Sequence, residues 1–191
     1  KPVTLFAAVL LLLLAAFLRF HLLEAQSFWN DEGNSARLSE RSIDLIIEGT
    51  ASDVHPPLYY LLLHAWRGSI GASEFSLRAF SALAGVLTVA VTLAMARSIS
   101  RRPAAVFLIA GLLAAVSPPL VYYAQETRMY SLLALWAVLS TWLLWQWLVV
   151  AATSSSRSRW PWVAAYCLTI LAGLYTHYYF PTIILAQGLL V

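Results

Sequence analysis

The chain has 191 residues, of which 61% are hydrophobic and only 11% are charged, and its mean hydropathy is +0.74. A soluble domain usually carries about 25% charged residues, so this composition excludes an ordinary soluble fold and indicates a lipid environment. The net charge of +3 is small and scattered, which excludes nucleic acid as a partner. The single cysteine, Cys167, excludes a disulfide framework.

Five apolar runs have the length of about 20 residues that a membrane-crossing helix needs. They cover residues 3–23, 76–96, 103–121, 130–152 and 160–180. We therefore predict an all-α fold, a multi-pass transmembrane helical bundle. A further apolar run opens at Pro181, and because the chain stops inside it we expect residues 1–191 to be the N-terminal part of one membrane-embedded domain, without its C-terminal remainder.

Basic and acidic residues occupy different connections between these runs. Arg97, Arg101 and Arg102 follow the second run, and Arg157 and Arg159 follow the fourth. Short cytoplasmic loops carry an excess of Lys and Arg, so these turns are predicted to be cytoplasmic. All nine acidic residues fall in the other connections. We expect a multi-pass protein of the cell membrane that acts on the extracytoplasmic side.

The first of these outer connections, residues 24–75, is longer than a turn between two helices requires, which predicts ordered elements within it. Residues 33–48 place charged side chains on one helical face and apolar ones opposite, which indicates a single helix lying at the membrane surface. The run at 58–66 is too short to cross and is interpreted as interfacial or re-entrant.

The first candidate site is the sequence W-N-D-E directly after the first run. Asp31 and Glu32 are adjacent carboxylates at the predicted membrane boundary, where mutual repulsion and partial burial raise a pKa and prepare one of them to accept a proton. The alternative is that Asp31 only caps the N-terminus of the following helix.

The second candidate is D-V-H-P-P. Two prolines restrict the backbone that carries Asp53 and His55, and a rigid imidazole beside a carboxylate can bind an anion, a sugar hydroxyl or a metal. The alternative is a simple helix start, with Pro57 in the first turn and His55 in solvent.

The third candidate is the outer connection Y-Y-A-Q-E-T-R-M-Y. An arginine at membrane depth is costly unless it meets an anion, and its planar fork matches phosphate oxygens, so Arg128 is a candidate phosphate ligand. The alternative is a pair between Arg128 and Glu126 and nothing more. Arg78, on the same predicted side, either binds phosphate or extends toward the headgroups.

The fourth candidate is His177, which lies in the aromatic patch Y-T-H-Y-Y-F on the same predicted side of the membrane. A single histidine hydrogen-bonded between helices is an equally common arrangement. If the outer-side candidates form one site, then Asp31, His55, Glu126 and Arg128 are expected to line one cavity.

Taken in order, W-N-D-E, H-P-P-L-Y-Y-L-L-L, S-E-F-S-L-R-A-F-S, S-P-P-L-V-Y-Y-A-Q-E-T-R-M-Y and Y-T-H-Y-Y-F resemble the N-terminal half of a GT-C fold glycosyltransferase. The resemblance is to the dolichyl-phosphate-mannose protein mannosyltransferase-like family, which is related to the bacterial lipid A aminoarabinose transferases. It covers nearly all 191 residues, and it is the order of the motifs that makes it specific.

The resemblance implies transfer of a mannose-like sugar from a polyprenyl-phosphate donor to an acceptor on the extracytoplasmic face, with inversion. It assigns the general base to Asp31, with Glu32 beside it. Residues matched to donor or phosphate binding are His55, Arg78, Glu126 and Arg128, although several relatives have Lys where His55 stands. Further residues matched to substrate binding are Asp53, Tyr59, Tyr123 and His177.

No metal site is predicted, although a divalent cation is compatible with a partial shell from Asp31, Glu32, His55 and His177. The expected partners are the lipid-linked donor, membrane lipid and an acceptor that is a protein, a lipid or a glycan. The alternative function is a transporter or lipid-binding module that uses the same polar groups. A transporter places ionisable groups near the bilayer midplane, whereas the charged candidates here flank the apolar runs.

Overall fold

The computed structural model describes residues 2–52, 55–99, 103–153 and 156–189, and these residues form helices joined by short turns, with no strand among them. The helices are α1 (Pro2–Phe20), α2 (Asn30–Leu38), α3 (Ile43–Ala51), α4 (Leu58–Ile70), α5 (Glu74–Ile99), α6 (Pro103–Val116), α7 (Pro118–Tyr122), α8 (Tyr130–Thr153), α9 (Ser156–Leu174) and α10 (Phe180–Gly188), with a 3-10 turn at Tyr123–Gln125. The prediction of an all-α fold is confirmed.

Two helices among the described residues are long and apolar enough to cross a membrane, namely α5 and the part of α8 from Tyr130 to Val149. A third is reached only if Ala104–Val116 and Pro118–Gln125 count as one span, and these two pieces meet at a bend of 55°. The bend follows from the Pro118-Pro119 pair, because proline has no N–H to continue the helical hydrogen bonds. The apolar helices Thr4–Phe20 and Trp160–Leu174 are shorter.

The helices alternate in direction around α5, which contacts α1, α6 and α8, while α8 also contacts α9. One end of the fold is therefore formed by Phe20, Glu74, Val116, Tyr130 and Leu174, and we refer to it as the acidic end. The opposite end carries Arg97. Arg101 and Arg102 lie outside the described residues.

The outer connection contains three separate helices, so the predicted single helix over residues 33–48 was wrong. The chain leaves helical geometry between α2 and α3 because its polar groups find other partners there. The Ser39 hydroxyl donates to the Ala36 carbonyl at 2.7 Å, and the Ser39 carbonyl meets Nδ1 of His64 on α4 at 2.9 Å. Helix α4 has 13 residues and packs on α5 through Tyr59, Tyr60 and Leu63.

A fully buried arginine joins three helices at the acidic end. Arg19 of α1 donates from Nη1 to the Ala115 carbonyl and from Nη2 to the Ala114 carbonyl, both at 3.0 Å. These carbonyls belong to the last turn of α6, where they have no partner within the helix. Gly85 of α5 admits the side chain, since a Cβ there would lie 2.8 Å from Nε of Arg19.

Candidate functional site

A buried ion pair fastens the start of α2 to α5. Arg78 donates from Nε to Oε1 of Glu32 at 2.8 Å and from Nη2 to Oε2 at 2.7 Å. Its other N–H groups donate to the carbonyls of Leu23, Gln26 and Ser27 at 2.6, 2.7 and 3.4 Å. All five N–H donors of the guanidinium thus have acceptors.

Glu32 also fixes the turn before α8, because its Oε1 accepts the backbone N–H of Thr127 at 2.7 Å. Both side chains of the pair are nearly inaccessible to solvent. The predicted phosphate contact of Arg78 is therefore not what the structure shows: its donors are used within the protein. For the same reason Glu32 is a positioning residue here and not a free carboxylate.

The neighbouring carboxylate lies in a different environment. Helix α2 begins at Asn30 with Trp29 at the N-cap position, so Asp31 stands within the first turn and is not the cap. Its Oδ2 lies 3.5 Å from Nη2 of Arg128, and its backbone carbonyl accepts from Nη1 of Arg128 at 3.4 Å. The Asp31 side chain remains 38% exposed, so a substrate can reach it.

Arg128 differs from Arg78 in how far its donors are satisfied. Its side chain is only 7% exposed, both of its contacts with Asp31 are long, and its buried Nε has no hydrogen-bond partner among the described residues. Charge-assisted hydrogen bonds normally span about 2.7–2.9 Å. The pairing of Arg128 with Glu126 alone is also excluded, because the ion pair runs to Asp31. Arg128 is a buried cation that hydrogen-bonds Tyr130, holds Asp31 only at long range and leaves its Nε donor unused.

An aromatic row extends from Arg128 to the two histidines. The guanidinium carbon of Arg128 lies 5.7 Å from the ring centre of Tyr130, which lies 5.8 Å from that of His177. The ring of His55 meets that of His177 edge-on at 5.6 Å. The HPP segment is thereby held against the turn between α9 and α10, and the Leu58 N–H donates to the Tyr175 carbonyl at 3.0 Å.

His177 is nearly buried, and its tautomer follows from its hydrogen bond. Nδ1 accepts the backbone N–H of Tyr179 at 3.1 Å, so the ring proton of the neutral form lies on Nε2. Burial lowers the pKa of His177, and the positive charges of His55 and Arg128 lower it further. This environment favours the neutral form of His177, in which Nε2 is the donor.

The three other residues matched to substrate binding are Tyr123, Tyr59 and Asp53. Tyr123 is partly exposed, and its ring centre lies 4.7 Å from that of Tyr130, which places it beside the aromatic row. Tyr59 has no exposed surface and packs against Tyr60 and Phe80, so the structure gives it a packing role and not the predicted substrate contact. Asp53 lies outside the described residues.

Glu126 faces a separate cavity of about 590 Å³, lined by the segment that follows α1 and by Glu32, Arg78, Tyr122, Gln125 and Glu126. Its described lining does not include Asp31, His55 or Arg128, so the expectation of one shared cavity was wrong. The two residues belong to one tight turn, in which the Arg128 N–H donates to the Glu126 carbonyl at 2.8 Å.

The Glu126 carboxyl is only 8% exposed. Burial raises its pKa, and the negative charges of Glu32 and Asp31 raise it further, while a hydrogen bond from Tyr122 and the charge of Arg128 act in the opposite direction. A carboxylate with this environment accepts a proton or a hydroxyl hydrogen bond. It does not attract a phosphate, so a direct phosphate contact does not suit Glu126, while its predicted part in binding the rest of the donor stays a prediction.

Within the described part of the chain, no group of three or more His, Cys, Asp and Glu side chains lies close enough together to hold a metal ion. Of the four possible metal ligands that the sequence suggested, Glu32 is instead paired with Arg78. Asp53 is outside that search.

Sequence reasoning missed the contributions of Arg19, Tyr122 and Gln125. Gln125 donates from Nε2 to the carbonyls of Leu18 and His21, both at 3.0 Å, and so closes the cavity wall against the end of α1. The available signals were an arginine in the last turn of an apolar helix and polar residues shortly after a proline break.

Comparison of the chain with protein-family models, with curated proteins and with solved structures gave no match.

Proposed function

We propose that this chain is part of a multi-pass membrane glycosyltransferase of the GT-C type. It moves a mannose-like sugar from a polyprenyl-phosphate donor to an acceptor on the extracytoplasmic face of the cell membrane. The observation that carries the proposal is the state of Arg128, a buried guanidinium with an unpaired Nε and only long contacts to the accessible carboxylate of Asp31.

A phosphate group is the ligand that best supplies the missing hydrogen-bond acceptors of Arg128. A buried cation that lacks acceptors is destabilised, and a phosphate offers oxygens that match the guanidinium fork. The lipid tail of the donor suits a protein with helices apolar enough to cross a bilayer. The chain therefore combines an anion site with a place for a hydrocarbon tail.

The reaction follows from the positions of Asp31 and Arg128. Asp31 accepts the proton of the acceptor hydroxyl while its oxygen attacks the anomeric carbon from the face opposite the phosphate. The bond between that carbon and the phosphate oxygen breaks, and its electron pair leaves with the phosphate. Arg128 balances the charge that develops on the leaving phosphate, so no general acid is needed. Attack from the opposite face inverts the anomeric centre.

The transporter alternative gains no support from the charge distribution. Residues 79–96 of α5 and 130–153 of α8 contain no Asp, Glu, Lys or Arg. The described candidate residues lie instead at the acidic end, where α5 and α8 begin. A substrate passage would place ionisable groups near the middle of these helices.

Transfer of labelled sugar tests the proposal. The full chain is incubated with polyprenyl-phosphate donors carrying radiolabelled mannose, glucose or an aminopentose, together with membranes that supply acceptors, and the label leaving the lipid is measured. Asp31→Asn is expected to lower turnover by about 10²–10⁴-fold, as loss of a general base does. Asp44→Asn, an exposed residue of α3, is the matched control and is expected to leave turnover unchanged. Unchanged turnover in Asp31→Asn would remove the base assignment.

A further inference from the structure

The cavity of about 590 Å³ beside Glu126 carries a negative charge that its own wall does not balance. Two carboxylates and one guanidinium line it, and the charges of Glu32 and Arg78 cancel because these side chains form a bidentate pair. Glu126 takes part in no ion pair among the described residues. When Glu126 is ionised, the wall is therefore left with the charge of one carboxylate.

The Glu126 carboxylate is buried and has hydrogen-bonding capacity that the protein leaves unused. The residue is only 8% exposed, and its carboxylate receives a side-chain hydrogen bond from Tyr122. An ionised carboxylate offers about four acceptor positions. Burying a charge is costly unless an opposite charge lies close to it. A ligand that brings a positive charge together with N–H donors meets both needs.

The other polar groups of the wall select a donor as well. Gln125 uses Nε2 on the carbonyls of Leu18 and His21, which leaves its Oε1 as an acceptor. The five N–H donors of Arg78 already have acceptors within the protein, so Arg78 offers none to a ligand. The groups still available in the cavity are acceptors, which favours an ammonium ligand.

The exposed part of the lining indicates where such a ligand comes from. Leu22, Trp29 and Tyr122 line the cavity and are 68%, 47% and 61% exposed. Tryptophan and tyrosine are enriched where a membrane protein meets the lipid headgroups. Their ring faces also attract ammonium groups that lie within about 6 Å. An ammonium group that belongs to a lipid headgroup fits this combination.

We propose that this cavity binds the primary ammonium group of a phosphatidylethanolamine headgroup, with Glu126 and Gln125 accepting its N–H donors. A primary ammonium has three such donors, whereas the quaternary ammonium of phosphatidylcholine has none. The carboxylates on the wall repel the lipid phosphate, so it is expected to remain outside the cavity. Binding of this lipid needs no sugar donor and does not depend on the proposed sugar transfer.

Native mass spectrometry of the full chain measures which lipid stays bound. The protein is released from micelles that contain equal amounts of phosphatidylethanolamine and phosphatidylcholine with the same acyl chains. The unmodified protein is expected to retain phosphatidylethanolamine in about tenfold excess, because only this lipid donates charged hydrogen bonds to Glu126. Glu126→Gln keeps the shape and loses the charge, so the two lipids are expected to be retained nearly equally. Asp44→Asn, at an exposed position of α3, is the control that keeps the excess.

Two further comparisons make the test specific. The N,N-dimethyl derivative of phosphatidylethanolamine has one N–H donor and is expected to be retained at a level between the other two lipids. Trp29→Ala truncates a side chain that is half exposed, so it is expected to lower the excess without affecting folding.

Equal retention of both lipids by the unmodified protein, or an unchanged excess in Glu126→Gln, would overturn the proposal. Binding of a short lysine peptide in place of either lipid would assign the cavity to a protein ligand and would also overturn it. The sugar-transfer assay bears on the proposed function alone, so the two proposals fail separately.

Discussion

Asp31 and Glu32 show how two adjacent carboxylates acquire different roles. On a helix, consecutive side chains point about 100° apart, so the two carboxylates reach different arginines, Arg78 of α5 and Arg128 in the turn before α8. Glu32 forms a buried ion pair with Arg78, so its carboxylate has only a structural role. Asp31 lies near Arg128, whose hydrogen-bond donors are not all paired, and it remains accessible to solvent. The acidic pair was predictable from W-N-D-E, but its division of labour depends on contacts with residues far away in sequence.

The contact between Asp31 and Arg128 predicts competition between the carboxylate and a bound phosphate. Asp31→Asn removes a rival anion, so polyprenyl phosphate is expected to bind roughly two- to fivefold more tightly, as loss of a partly exposed ion pair worth about 0.4–1 kcal/mol allows. Titration of the lipid into nanodisc-embedded protein measures this change, with Asp44→Asn as control. Weaker binding in Asp31→Asn would show that the carboxylate supports the anion site and does not compete with it.

Glu126 predicts a pH dependence of stability. Its raised native pKa means that the folded protein binds this proton more tightly than the unfolded chain does. The resulting stabilisation is complete below the ordinary glutamate pKa of 4.5 and is lost as the pH rises through the raised native value. Glu126→Gln stays neutral at every pH and is expected to lack this fall in the unfolding temperature.

The measurement is thermal unfolding in one detergent between about pH 4 and pH 8. Glu48→Gln, at an exposed position of α3, is the control that retains the fall. A pH profile of Glu126→Gln that coincides with that of the unmodified protein would contradict the prediction.

At the scale of elements, the pair of Glu32 and Arg78 joins the segment after α1, helix α2, helix α5 and the turn before α8. Truncating one partner of a buried pair leaves the other charge uncompensated, which costs about 3–5 kcal/mol. Glu32→Gln is therefore expected to lower the free energy of unfolding by several kcal/mol, as measured by denaturation in mixed micelles.

The chain supplies its own control for this prediction. Arg67 and Glu40 form a surface pair at 2.9 Å in which the glutamate is 55% exposed. Such pairs contribute about 0–1 kcal/mol, so Glu40→Gln is expected to change stability little. An equal decrease in the free energy of unfolding of Glu32→Gln and Glu40→Gln would contradict the stabilising role assigned to the buried pair.

Local patterns predicted the helices but not all of their ends. The long apolar runs of α5 and α8 were recognisable because their composition leaves no alternative to a helix. The interruption between α2 and α3 was not, since residues 33–48 have continuous helical periodicity and the break depends on the contact of Ser39 with His64, 25 residues away. The bend at Ser117 is caused by the two prolines that follow it. The apolar run over residues 103–121 had predicted one continuous helix there.

At the scale of the whole molecule, helices of alternating direction bring distant motifs to one end of the fold. The resulting arrangement has two neighbouring sites, the Asp31 and Arg128 contact and the Glu126 cavity, whose lining includes the Glu32 and Arg78 pair. The grouping of the motifs at one end was predictable from their sorting between apolar runs. Their separation into two sites was not, because it depends on the turn at residues 126–128.

The proposed position of both sites on the membrane face opposite the arginine-rich turns is tested most directly by cysteine labelling in intact cells. Cys167 is exposed, so it is first replaced in Cys167→Ser, and Ala72→Cys and Ser98→Cys are then introduced singly at exposed positions near the two ends of α5. Ala72→Cys, beside the acidic end, is expected to react with a membrane-impermeant maleimide from outside. Ser98→Cys, beside Arg97, is expected to react only after permeabilisation. Reaction of both positions from the same compartment would contradict the proposed extracytoplasmic glycosyl transfer.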